Sequence, residues 1–90
     1  MTTLLPDGEI LDVPERVIVA PTSGIFEPAE PGPRTDDGEP VAAGQTIGVL
    51  HGPNSATPVT SPFAGFLIGM MATSGERLRV GEPIAWLRAT

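Results

Sequence analysis

His51, Asn54 and Ser55 share one turn, His51-Gly52-Pro53-Asn54-Ser55, and are the side chains of this chain best placed to do chemistry. An imidazole can move a proton or ligate a metal near neutral pH. A serine hydroxyl becomes a nucleophile when a neighbouring base takes its proton. Both uses require partners. One His with no second His and no Cys lacks the clustering of a transition-metal site, and Ser55 has no evident His/Asp pair to activate it. His51 therefore reads as a polar residue leaving a strand, and Ser55 as a turn hydroxyl. The run Asp36-Asp37-Gly38-Glu39 offers oxygen donors for a divalent cation. It lacks the alternating ligands of a calcium loop, and acidic runs in loops are usually solvated. No catalytic, metal-binding or cofactor-binding set emerges, and the chain is expected not to be an enzyme.

The elements that position this turn follow from composition and punctuation. Ninety residues make one domain whose core can only just suffice. With no cysteine, no disulfide or thiolate metal site can help hold it together. Eleven Gly and eleven Pro cut the apolar runs into short pieces, which favours a turn-rich β domain. No window keeps a helical apolar period over the dozen residues a stable helix needs. A net charge of −6 with five scattered Arg argues against nucleic acid and against an anionic membrane surface. No apolar run approaches the roughly 20 residues that span a bilayer. Met1-Thr2-Thr3-Leu4-Leu5-Pro6-Asp7 has neither the positive region nor the apolar stretch of a signal peptide, so a cytoplasmic location is expected.

Along the chain, Leu4-Leu5-Pro6-Asp7-Gly8-Glu9-Ile10-Leu11 reads as a small hairpin in an N-terminal extension over 1–16. The domain itself is expected over 17–90. Val17-Ile18-Val19 reads as a buried strand. Glu27 to Asp37, with three Pro and several acids, reads as an exposed loop. Thr46 to Leu50 is a strand that enters the His51–Ser55 turn. Thr57-Pro58-Val59-Thr60 returns from it, and its Pro disfavours a central place in a sheet. Phe66-Leu67-Ile68-Gly69-Met70-Met71 is the longest apolar run, and at least one of Met70 and Met71 must face outward as a candidate partner contact. Trp86 holds the place that Val49 holds in the first half and is expected over an end of the core.

Those strands come in two matching sets. Gly38-Glu39-Pro40-Val41-Ala42-Ala43-Gly44-Gln45-Thr46-Ile47 recurs as Gly75-Glu76-Arg77-Leu78-Arg79-Val80-Gly81-Glu82-Pro83-Ile84, and Ala20-Pro21-Thr22-Ser23-Gly24 is echoed by Ser61-Pro62-Phe63-Ala64-Gly65. Within each copy the second Gly allows a backbone bend, and the Ile opens an inward-facing strand. Neither copy could bury its apolar face alone, so the two must clasp about a pseudo-twofold axis. The Gly24–Gly38 span is four residues longer than Gly65–Gly75, which marks the acidic Pro-rich loop as an insertion.

Pro-x-x-Gly followed by Gly-acid-x-Val-x-x-Gly-Gln-x-Ile resembles the biotinyl/lipoyl carrier family, over roughly Val17 to Leu87. The resemblance implies an all-β fold: a flattened β-barrel (barrel-sandwich hybrid) with two pseudo-twofold-related halves of about four short strands each. It also implies that the hairpin after the first half carries, at its tip, the lysine that is modified in carriers. Here the tip is Gly52-Pro53-Asn54-Ser55, with Asn54 at the lysine-equivalent position, and the chain contains no lysine at all. A carboxamide is not nucleophilic, so neither biotin nor lipoate can be attached at Asn54, and no cofactor is expected.

Relatives of this kind dock on enzyme surfaces through the hairpin end and its neighbouring strands. The resemblance therefore implies a non-enzymatic module that binds protein partners, a carboxylase or acyltransferase subunit among them, as a structural or regulatory subunit. His51, Asn54, Met70 and Met71 are the candidate contacts, and a homo-oligomer stays open. The Ser61–Gly69 stretch also resembles the unmodified β domain of aspartoacylase-like metallodeacylases, which would make the chain an enzyme component acting in trans; a carrier-derived protein with an unrelated binding role is the other alternative.

Overall fold

Apolar residues at alternate positions, interrupted every few residues by Gly or Pro, dictate short strands with one face inward. The computed structural model describes residues 15–89, together with the backbone of Thr3–Leu4 and Ile10–Leu11. Its elements are β strands throughout, with no helix among the described residues. Thr3–Leu4 (β1) pairs antiparallel with Ile10–Leu11 (β2), Thr3 against Leu11 and Leu4 against Ile10. The Pro6-Asp7-Gly8 turn expected between them lies outside the described residues.

The first copy of the repeat supplies β3 (Glu15–Val19), β4 (Gly24–Pro28), β5 (Glu39–Val41) and β6 (Thr46–His51). The second supplies β7 (Ala56–Thr60), β8 (Gly65–Met70), β9 (Arg77–Leu78) and β10 (Pro83–Ala89). They build two antiparallel four-stranded sheets, ordered β3-β10-β8-β5 and β7-β6-β4-β9. Each copy gives two strands to each sheet, so the halves interlock as the repeat requires. The result is the expected flattened barrel-sandwich, although hydrogen bonds do not close it into a continuous barrel.

Inward positions of both sheets meet in one core. Phe26, Leu50, Ile84 and Leu87 have no exposed surface, and Ile18, Val41, Ile47, Val59, Leu67 and Leu78 join them. Side chains of this kind each contribute about 1.5–3 kcal/mol when fully buried. The repeated bend glycines also join the halves. Gly44 and Gly81 have φ of 86° and 89°, a region costly for residues with a Cβ. Their N–H groups donate to Ser61 O at 2.6 Å and Ala20 O at 2.8 Å, each across to the strand of the other copy.

The two four-stranded sheets have four edge strands: β3 and β5 in one, β7 and β9 in the other. Pro58 does sit in an edge strand, as its missing N–H demands. Val17-Ile18-Val19 is not buried as a block. Ile18 alone points into the core, while Val17 and Val19 are 46% and 47% exposed, because β3 has one solvent face and side chains alternate. Trp86 also departs from expectation. It lies between Val17 and Gly69 on the outer face of its sheet, half-buried, rather than over an end of the core. The insertion begins later than expected, since Glu27 and Pro28 still belong to β4.

Candidate functional site

The β6–β7 hairpin places the predicted turn at one end of the second sheet. His51 closes β6 opposite Ala56, and the Gly52 N–H donates to Ser55 O at 2.9 Å. Pro53, Asn54 and Ser55 are exposed at the tip, and Gly52 is half-buried. Asn54 therefore stands at the outermost part of the hairpin. Pro and Asn suit the centre of such a turn, one by presetting φ and the other by tolerating the second turn position.

His51 is fixed from the neighbouring strand. β4 runs beside β6 with Ile25 opposite His51 and Glu27 opposite Val49. His51 Nε2 lies 2.8 Å from Glu27 Oε1, and the two side chains remain 47% and 64% exposed. On the far side of Ile25, Arg77 of β9 completes the row. Ser23, Gly24, Ile25, His51, Gly52 and Arg77 border a shallow depression of about 350 Å³ beside the tip. The arrangement presents an oriented imidazole and a guanidinium on one surface beside the tip, groups that can hydrogen-bond a polar ligand. His51 hydrogen-bonds Glu27 and makes no hydrogen bond to Ser55 among the described residues. Among the described residues, no three His, Cys, Asp or Glu side chains gather as a metal site.

The four partner-contact candidates are not brought together. Met70 and Met71 are both exposed, at 41% and 48%. Met70 borders a different cavity with Pro28, Thr46 and Ile47, about four strand positions along β6 from His51, or roughly 13 Å at ~3.3 Å per residue. That cavity, about 260 Å³, lies beneath the acidic insertion. Glu27 and Arg77 are site residues that motif reading misses. The signal for Glu27 lies in strand register, because a residue two beyond Ile25 falls within reach of His51 across the β4–β6 pair.

No protein-family model and no curated protein matches the chain. Among solved structures, it is similar to a single-chain, multi-domain long-chain acyl-CoA carboxylase, with a TM-score of 0.71 and 22% identity over 89% of this chain. The match covers 8% of the carboxylase chain, so the present sequence spans a small fraction of that protein's length. At this identity the likeness is one of fold: the chain is built like one small segment of a multi-domain acyl-CoA carboxylase.

Proposed function

We propose that this chain is a non-enzymatic biotinyl/lipoyl-like module that carries neither biotin nor lipoate. It serves as a structural or regulatory binding subunit of a carboxylase- or acyltransferase-type complex. The observation that carries this reading is Asn54 at the tip of the β6–β7 hairpin in a chain without lysine. Amide attachment of either cofactor needs a primary side-chain amine, and a carboxamide cannot replace it. The fold shared with a segment of an acyl-CoA carboxylase supports the choice of partner class. His51 and Asn54 present the hairpin end to the partner, and the exposed Met70 and Met71 offer a second, separate contact.

Incubating the wild-type protein with biotin ligase, biotin and ATP, then measuring intact mass, tests the first half of the reading. No mass change is expected, and a single biotin-sized gain overturns it. Affinity capture on the purified chain tests the second half. Enrichment of a carboxylase or acyltransferase subunit is expected, weakened by Asn54→Asp or His51→Ala, and recovery of a zinc deacylase instead overturns it.

A further inference from the structure

The two halves of the fold differ where the chain leaves β4 and β8, and a cavity opens there. In the second half the chain leaves β8 with the Met71 and Ala72 N–H groups donating to Ile84 O at 2.7 and 3.1 Å. Ala72, 4% exposed, then fills the space above Ile84 as part of the core. In the first half the corresponding bond exists, from the Ala29 N–H to Ile47 O at 3.0 Å. The chain then departs through Glu30-Pro31-Gly32-Pro33, and exposed Glu30 stands where buried Ala72 stands in the other half.

The insertion is held as a roof. The Gly32 N–H donates to Glu39 Oε2 at 3.1 Å. Thr35 and Gly38 exchange backbone hydrogen bonds of 2.8 and 3.1 Å, and Thr35 Oγ1 donates to Gly38 O at 2.9 Å. Prolines at 28, 31 and 33 restrict φ between these ties. Beneath the roof is the cavity of about 260 Å³. Its floor is Ile47 and Leu67, 6% and 9% exposed, and its wall is the Met70 side chain. Its polar rim includes Glu30, Glu39 and Gln45, and no basic residue lines it. Glu30 makes no hydrogen bond or ion pair among the described residues.

We propose that this cavity binds an organic cation: a protonated amine or guanidinium on an apolar stem. Concave, mostly apolar sites with a few placed polar groups are where small groups bind. The stem lies on Ile47, Leu67 and the polarisable Met70 thioether. The charge meets the Glu30 and Glu39 carboxylates, whose pairing with a cation is charge-assisted. The chain's net charge of −6 adds a favourable field. The cation can come from a free small amine or from a lysine or arginine side chain of a partner, and both present the same chemistry. This proposal stands independently of whether Asn54 marks a lost attachment point.

Titration of the isotope-labelled protein with hexylammonium, hexanoate and 1-hexanol tests it, read as NMR shifts of the Ile47, Leu67 and Met70 methyl groups. Hexylammonium is expected to saturate at least about five-fold more tightly than 1-hexanol, and hexanoate not to saturate. Glu30→Gln is expected to weaken hexylammonium binding about three- to ten-fold without moving the thermal midpoint. Equal affinity for hexylammonium and 1-hexanol overturns the proposal, as does the absence of shifts with all three probes. A blocked lysine peptide compared with its Nζ-acetylated form separates the sources. Tighter binding of the unacetylated peptide than of hexylammonium assigns the site to a partner's side chain, and binding of hexylammonium alone assigns it to a free amine.

Discussion

Gln45 and Glu82 occupy equivalent places in the two halves and make the same bond. Gln45 Oε1 accepts the Ala42 N–H at 2.9 Å, and Glu82 Oε1 accepts the Arg79 N–H at 2.8 Å. In both turns a side-chain oxygen three residues ahead satisfies a backbone donor that the short strands leave over. An amide and a carboxylate are thus interchangeable here, so Glu82→Gln should leave the thermal midpoint almost unchanged. Glu82→Ala and Gln45→Ala should each cost about 1 kcal/mol, or ~4–8 °C in a domain of this size. An unaltered melting curve for Glu82→Ala would remove the bond from the account of stability.

Ser61 has no exposed surface, and its hydroxyl is used twice: it donates to Phe63 O at 2.6 Å and accepts the Phe63 N–H at 3.2 Å. The equivalent residue in the first half is Ala20, also buried, so an alanine fits the space. Ser61→Ala should therefore cost only the hydrogen bonds, about 1–3 kcal/mol. Urea unfolding measures this as a lower midpoint with an unchanged m-value. A neutral result would mean that water replaces the hydroxyl.

An alanine Cβ at Gly44 or Gly81 would meet nothing within 4 Å, so the cost of substitution is purely one of backbone conformation. With φ of 86° and 89°, Gly44→Ala and Gly81→Ala should each destabilise by about 1–2 kcal/mol, to a similar extent in both halves. Paired chemical-denaturation curves check this. A large difference between the two variants would show that the halves do not share this constraint.

Asn54→Lys puts a primary amine on the hairpin tip. Position 54 is exposed and the turn is closed by backbone, so the variant should fold with stability within ~0.5 kcal/mol of wild type. Intact mass after biotin ligase treatment should show one added biotin on the variant and none on wild type. Refusal by the ligase would mean that the tip differs from a carrier's in shape as well as in chemistry.

The doubled Gly-acid motif makes much of the architecture legible in the sequence. It pairs Ile47 with Ile84 as inward residues and Gly44 with Gly81 as bends, and Pro58 places its strand at an edge. What it hides lies between segments distant in sequence. The Glu27–His51 contact spans 24 positions and depends on register, which no local pattern states. Val17 and Trp86 face outward because side chains alternate on strands with one solvent face, not because of their residue types. The insertion reads as an exposed loop from its prolines and charges. It is tied locally by the Thr35–Gly38 turn and by Gly32 to Glu39, and at Ala29 to Ile47, a partner 18 residues away that only folding brings close. The tip at Gly52–Ser55 is legible in place and composition, whereas its neighbours Glu27 and Arg77 are not.

The four sheet edges are not alike. Pro40 interrupts β5, Pro58 interrupts β7, and β9 is two residues long with Arg77 at its start. β3 has five residues and no proline, and it pairs on one side only, with β10. Proteins blunt their edges to avoid acting as templates for other chains, and here three of the four are blunted. Among the described strands of the two four-stranded sheets, β3 alone keeps an unblunted edge, and it can take up a single strand. Association through β3 alone joins two copies and leaves no second β3 edge from which a fibre could grow.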